Sequence, residues 1–469
     1  MSRPEPLASS QSDQPQKLAR RIGLISATVL VVANMVGTGI FTTSGLILAE
    51  LGSPTALLLC WLLGGLFALT GALCYAELGA MLPRAGGEYV YLRESFGPLP
   101  AFISGWISLI VGFSAPIAAA AIAFATYLLG ANQPDWPIIE IGGQTLVSVS
   151  PITALACAAV ILLSLAHYHS LQMGQGMQNL LTSFKIGLIL TFIIGGFWFG
   201  EASIRPVIAD STTMPSGGQL AVALIFISFA YSGWNAAAYV GGEIRQPERN
   251  LPLALIIGTL LVILLYVLLN LTYLYALPVS AMAGVLDVGT AAATALFGGE
   301  IGRLFGIAIA VGLLSVISAM IMAGPRVYYA MARDGLFFRR FGRVHEVRET
   351  PAQAILFQGA IAVGMILVAA YDALLIYIGF TLSLMAMLTV LGLIALRRSQ
   401  PKRPRPYRVL GYPFTPWLFI AGNLWIAIYT IVNRPMAGIV GVATLALGAI
   451  LYQLFSNKPT EIRAAAAPD

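Results

Sequence analysis

The sequence predicts an all-α membrane protein of twelve transmembrane helices. Three observations carry that prediction: a charged fraction far below that of a water-exposed chain, apolar runs of bilayer length along the whole sequence, and a one-sided distribution of basic residues. Of the 469 residues, 58% are hydrophobic and 10% charged, against about 25% charged in a soluble domain. So few charges cannot cover a wet surface, and much of the chain must face hydrocarbon. The formal net charge of +6 does not point to nucleic acid, because the basic residues sit in short loops between apolar runs.

A helix needs about 20 mostly apolar residues to cross a bilayer. Twelve stretches qualify: 22–49, 55–82, 98–130, 151–170, 176–200, 218–243, 252–277, 302–332, 351–370, 373–397, 414–432 and 435–457. Pro54, Pro151 and Pro351 stand at helix starts, where proline forfeits no helical hydrogen bond. With both termini on one side, the segments on that side hold 22 of the 26 Lys and Arg, and the other side holds only Arg205, Arg303 and Arg434, with Lys185 inside a span. That asymmetry places both termini in the cytoplasm, and an odd number of spans would destroy it. Residues 1–20 are polar and rich in Ser, Gln and Pro, which reads as a disordered tail rather than a signal peptide. Cys60, Cys74 and Cys157 fall inside apolar runs without metal-type spacing and read as small buried hydrophobes.

Most glycines in the spans are explained by close helix packing, but two places differ. The first span contains Asn34-Met35-Val36-Gly37-Thr38-Gly39-Ile40-Phe41. Two glycines around a β-branched residue weaken helix propagation, and an unwound backbone in hydrocarbon would cost several kcal/mol per orphan group. A break therefore makes sense only around a polar ligand or a wet cavity. The N–H groups of Gly37, Thr38 and Gly39 would then open the second half-helix as an anion site, with carbonyls near Met35 freed. The sixth span contains Phe229-Ala230-Tyr231-Ser232-Gly233-Trp234-Asn235. Freed carbonyls of Phe229 to Ser232 would end a half-helix and attract a cation. Face to face, the two breaks fit a zwitterionic α-amino acid, and interrupted helices at corresponding positions of two halves mark a substrate site. The alternative is two glycine-rich packing faces.

These residues resemble the amino acid–polyamine–organocation superfamily, closest to its L-type amino acid transporter branch. The resemblance covers roughly residues 20–400 and rests on four motifs in order. They are Gly37-Thr38-Gly39-Ile40-Phe41; the run from Tyr75 through Glu77 and Pro83-Arg84-Ala85-Gly86-Gly87-Glu88 to Tyr91; Glu243-Ile244-Arg245-Gln246-Pro247 to Pro252; and Arg326-Val327-Tyr328-Tyr329 to Arg333-Asp334-Gly335. The resemblance implies a LeuT-type fold with a 5+5 inverted repeat and discontinuous helices 1 and 6. It divides the chain into a cytoplasmic tail at 1–20, a transporter core at 21–400, a linker with spans 11 and 12 at 401–457, and a second tail at 458–469. It also implies that the amides of Gly37, Thr38 and Gly39 bind a carboxylate and that carbonyls of Met35, Phe229, Ala230 and Ser232 receive the amine. The Phe229 ring would close an outer gate, and Trp234 falls where the family carries a tryptophan in its second half-helix.

Lys185 lies well inside the fifth span, where insertion costs about 2.5–3.5 kcal/mol. Such a residue is functional unless it snorkels. In sodium-independent members of the family a lysine at this place stands in for a coupling sodium ion; the resemblance implies that the Lys185 ammonium bridges the first helix to hydroxyls of the eighth, with Ser315 and Ser318 as candidates. Exchange and proton-coupled uptake both remain open, as does a channel or sensor on the same fold.

Further expectations follow. His167 and His169 read as a wet membrane-edge pair on different helix faces, not a metal site. Glu77, Glu88 and Glu243 could pair with Arg84, Arg93 or Arg245 as an inner gate. The basic run Arg397 to Arg405 would lie on anionic headgroups. No acidic residue falls within the predicted third, eighth or tenth span, which favours small neutral substrates over cationic ones, and the small residues Pro116 to Ala121 suit a small pocket. No nucleophile–base pair can be assembled, so no enzyme, cofactor or metal is expected. The resemblance places a disulfide-linked subunit, where there is one, on a cysteine between spans 3 and 4. The stretch Ala131 to Ser150 has none, so a monomer is expected.

Overall fold

Proline and glycine set the ends of the helices. In the computed structural model, Gly52 adopts a left-handed conformation after the first span, Ser53 caps the next through its hydroxyl, and Pro54 is the first helical residue. Ser216 and Gln219 form a reciprocal capping box at the start of the sixth span, satisfying two donors that a helix end leaves open. The structure describes residues 20, 22–130, 132–134, 136–141, 144–169, 171–199, 215–342, 352–368 and 371–456. Except for Arg20, both expected tails lie outside the described residues.

Among the described residues the helices trace twelve spans, within a few residues of the expected limits, nine of them long and apolar enough by themselves to cross a membrane. Span 1 is two half-helices, Leu24–Met35 (1a) and Thr38–Leu51 (1b), bent by 40°. Spans 2 to 5 are Pro54–Met81, Pro98–Leu129, Pro151–His169 and Leu171–Phe199. Span 6 is again broken, into Gly217–Ala230 (6a) and the short Ala236–Tyr239 (6b). Spans 7 to 12 are Pro247–Ala276, Gly299–Arg333, Ala352–Val368, Tyr371–Ser399, Phe414–Asn433 and Pro435–Ser456. Apolar side chains such as Leu162, Leu180, Trp198 and Val432 lie mostly exposed on the outer surfaces of spans 4, 5 and 11. Patches of that kind on a soluble protein would drive association; here they face lipid.

Spans 1 and 6, 2 and 7, 3 and 8, and 4 and 9 pack against one another. Each pair is five helices apart, so four spans of the first half touch their own counterparts, as a two-fold relation between halves allows. Spans 11 and 12 pack onto span 10. The repeats are also tied by backbone: Ile22 pairs with the segment after span 6 through Ile22 N–H to Glu243 O at 2.9 Å and Arg245 N–H to Ile22 O at 2.8 Å. The fold is therefore the LeuT-type arrangement of an all-α membrane protein with twelve spans.

Several elements have no counterpart in the hydropathy pattern. A helix at Glu88–Phe96, bounded by Gly87 at φ 53° and Gly97 at φ 90°, joins spans 2 and 3 on the face that carries most basic residues. It is too polar and short to read as a span, but Glu88 in its first turn and Arg93 in its last complement the helix dipole. The seven residues Ser108–Ser114 of span 3 form a π-helical segment. On the opposite face lie an antiparallel hairpin, β1 (Trp136–Ile141) and β2 (Gln144–Val149), and a helix at Val288–Phe297.

The inner ion pairs differ from the expected ones. Glu77, fully buried on span 2, is held by Arg397 of span 10 at 2.5 and 2.8 Å, by the Val409 amide at 2.7 Å, and by Arg405 at 3.3 Å. Arg403 pairs with Glu94 at 2.7 Å. The basic run between spans 10 and 11 thus folds back onto carboxylates of the protein, because a buried carboxylate without a counter-charge costs more than an Arg withdrawn from the headgroups. Glu243 pairs with Arg326 of span 8 at 3.2 Å, and Arg93 pairs with Asp334.

Candidate functional site

The break in span 1 leaves the last carbonyls of 1a without helical partners. Val32 O is retained by the Val36 amide. Ala33 O and Val36 O receive the Lys185 ammonium at 3.0 and 2.5 Å, and Met35 O receives the Tyr266 hydroxyl at 2.5 Å. Tyr266 Oη also lies 3.0 Å from Ala230 O, the last residue of 6a. One side chain from span 5 and one from span 7 thus reach the exposed backbone of both breaks, the single Tyr266 proton being shared between Met35 O and Ala230 O. The sequence pointed to Lys185 but not to Tyr266, which sits in an unbroken apolar run and leaves no periodic or compositional signal.

Glycine is required where the breaks meet. A Cβ on Gly39 would lie 2.4 Å from Ala230 Cα, and one on Gly233, at φ 91°, would lie 2.8 Å from Asn34 O. The backbones of spans 1 and 6 therefore touch directly, which no larger residue allows. The amides of Thr38 to Ile40 open 1b, and the N-cap Gly37 has no side chain to cap them, leaving the positive end of a helix pointed at the junction.

A cavity of about 1160 Å³ runs to this junction, lined by Asn34, Ser228, Tyr231, Ser232, Gly233 and Trp234 at one end and by Ile22, Glu243, Arg326, Tyr329 and Arg333 at the other. Pro116 and the π segment's Gly112 and Phe113 form one wall, with Gly379, Leu382 and Ser383 of span 10 nearby. The mouth lies on the basic face. Toward the opposite face the path is packed shut: Phe229 is buried against span 10 beside Gly379, and Tyr127 Oη donates to Phe41 O at 2.6 Å.

Of the residues expected at the site, Ser232 and Trp234 line the cavity. Met35, Thr38, Phe229 and Ala230 are buried just beyond it, together with Gly37 and Gly39. Lys185 is fully buried and reaches span 1 but bonds to neither Ser315 nor Ser318. The Ser315 hydroxyl is turned to Gly312 O at 2.7 Å within its own helix, and Ser318 Oγ lies 2.8 Å from His167 Nε2. His167 is accordingly a buried partner of span 8 and not the wet edge residue expected from its place in the sequence; span 4 packs against span 8 and shields the ring from water.

Two helix breaks joined back to back beneath a cavity open to one face, inside two halves of five helices, define a secondary transporter of the discontinuous-helix class. The chain belongs to the amino acid permease family, whose match covers residues 22–454. It is similar to the serine/threonine exchanger SteT of Bacillus subtilis, with 33% identity over 90% of this chain and 93% of the relative. It is also similar to the human b(0,+)-type amino acid transporter 1, at 30% identity over 91% and 86% of the two chains, and to the mouse large neutral amino acids transporter small subunit 2, at 31% over 94% and 82%. The protein is a multi-pass membrane transporter and not an enzyme.

Proposed function

We propose that this transporter exchanges small neutral L-amino acids by alternating access without sodium. The observation that carries the reading is the Lys185 ammonium, fixed on Ala33 O and Val36 O at the break of span 1. These are backbone oxygens of the kind a bound cation would use, and an ammonium there repels sodium. Ser315 and Ser318, engaged elsewhere in this state, are the hydroxyls Lys185 would gain if span 8 moves.

The amides of Gly37, Thr38 and Gly39 bind the substrate carboxylate, and carbonyls of Met35, Phe229, Ala230 and Ser232 take its ammonium, which displaces the Tyr266 hydroxyl from Met35 and Ala230. Phe229 closes over the substrate on the far side and Trp234 on the cavity side. The basic face is cytoplasmic by the distribution of Lys and Arg, so both termini lie in the cytoplasm and the cavity opens inward, in a cytoplasmic membrane. Relatives named as a serine/threonine exchanger and a large neutral amino acids transporter support the substrate class. Without a cysteine between spans 3 and 4, the chain works as a monomer with no disulfide-linked subunit.

The test is counterflow in proteoliposomes. Labelled serine should enter only when unlabelled amino acid is inside, at a rate unchanged when sodium is replaced by choline. Accumulation driven by a pH gradient into empty vesicles would replace exchange with proton symport. Saturable binding without flux would make the protein a sensor, and flux without saturation would make it a channel.

A further inference from the structure

The cavity wall carries one carboxylate that nothing above uses. Glu88 opens the helix between spans 2 and 3, is 95% buried by an exposure of 5%, and lines the cavity with Trp234, Asn235 and Tyr239. Its Oε1 accepts from Tyr75 Oη at 2.6 Å and from Asn235 Nδ2 at 2.9 Å. Both bonds fall on the same oxygen. Oε2 has no protein partner among the described residues, and it is not sealed from the cavity. The other charged groups on the wall are engaged: Glu243 with Arg326 at 3.2 Å, and Arg333 with the Tyr329 hydroxyl at 3.0 Å.

A buried carboxylate with two donors and no counter-charge is an expensive arrangement. Burial pushes the Glu88 carboxyl above the usual carboxylate range, against the pull of the Tyr75 and Asn235 bonds. A cationic nitrogen at Oε2 would supply the missing charge, and the cavity delivers such nitrogens. Asn235, which holds Oε1, is the last residue of the break of span 6, so the free oxygen stands between the helix breaks and the mouth.

We propose that Glu88 is a second ammonium site on the cavity wall, where Oε2 receives a primary ammonium group travelling between the helix breaks and the basic face. The ammonium is the α-amino group of a neutral substrate or the side-chain amine of a dibasic amino acid. The placement rests on the transporter reading; the carboxylate comes from the loop helix and not from the predicted third, eighth or tenth span, where no acidic residue falls.

The test compares wild type, Glu88→Gln and Tyr75→Phe. Gln keeps an oxygen for Tyr75 and Asn235 and replaces the free oxygen by an amide nitrogen that cannot accept. In reconstituted exchange measured from each side, Glu88→Gln should raise the KM for serine on the basic face about tenfold, the low end of what one charge-assisted hydrogen bond is worth, and leave the opposite face within about twofold. A shift confined to inhibition by lysine, with serine unmoved, would assign the site to side-chain amines. Independently of transport, propylamine, which has no carboxylate, should raise the melting temperature of purified wild type but not of Glu88→Gln. Tyr75→Phe keeps the carboxylate and should keep both properties. The proposal is overturned if Glu88→Gln changes neither readout or if Tyr75→Phe reproduces its losses, which would make Glu88 a brace. It is also overturned if the variant flattens the pH dependence of exchange with KM intact, which would make it a proton carrier. A wild type that exchanges no amino acid would sink the exchanger reading, while the propylamine shift would still decide the role of Glu88.

Discussion

Replacing Lys185 by Ala removes the only donor among the described residues on Ala33 O and Val36 O, at 3.0 and 2.5 Å. Both carbonyls belong to the break of span 1, where no helical N–H can reach them. Each buried acceptor left unmet costs about 1–3 kcal/mol, and the lost side chain also leaves a void beside Gly312, whose added Cβ would lie 3.5 Å from Lys185 Cγ. Part of this cost falls on the folded state as a whole and part on the difference between its open and closed forms. If about half falls on the conformational step, the exchange rate drops roughly 10- to 100-fold. Lys185→Met restores the volume but not the donors, so it separates packing from polarity. Counterflow of labelled serine, with melting temperature recorded on the same preparations, measures both. Lys185→Met should recover melting temperature more than exchange. A Lys185→Ala protein that exchanges within about twofold of wild type would refute the argument, because the two carbonyls would then not need the ammonium.

Other outcomes follow from the same geometry. Gly39→Ala puts a methyl 2.4 Å from Ala230 Cα, a backbone contact that cannot yield; exchange should be abolished, with overpacking of about 1–3 kcal/mol read as a lowered melting temperature. Tyr266→Phe removes the one proton that Met35 O and Ala230 O share, and it should slow exchange about tenfold with KM within about twofold, since the substrate ammonium can still reach both oxygens. Glu77→Ala leaves Arg397 and Arg405 without their shared carboxylate. A loss of about 3 kcal/mol is expected by denaturation, at the low end for a broken buried pair because Arg397 keeps some contact with water.

The spans were legible because apolar length and basic asymmetry are properties of local sequence, and the limits of most helices agree with the expected ones to within a few residues. The breaks were legible for a related reason: Gly37, Thr38 and Gly39, and Ser232 with Gly233, are poor helix formers in the middle of otherwise strong helices. What closes the breaks was only half legible. Lys185 announces itself as a charge inside hydrocarbon, whereas Tyr266 is one more aromatic in an apolar run, and only the fold places its hydroxyl 2.5 Å from Met35 O. Ionic partners were the least legible. Glu77 and Arg397 are 320 residues apart, and Arg84 and Arg245, closer in sequence to the carboxylates, are not the ones that pair with them. The burial of His167 is illegible for the same reason, since it depends on how span 4 meets span 8.

The central claim is that the two breaks hold a zwitterion by both ends, and analogue exchange on the face opposite the cavity mouth tests it most directly. Serine should drive efflux of labelled serine there, while its methyl ester, its N-acetyl derivative and ethanolamine, each lacking one charged end, should not drive or inhibit it at tenfold higher concentration, roughly the discrimination one lost charge-assisted bond enforces. Exchange driven by ethanolamine or by the ester at a rate comparable to serine would show that one end suffices, and would contradict the account.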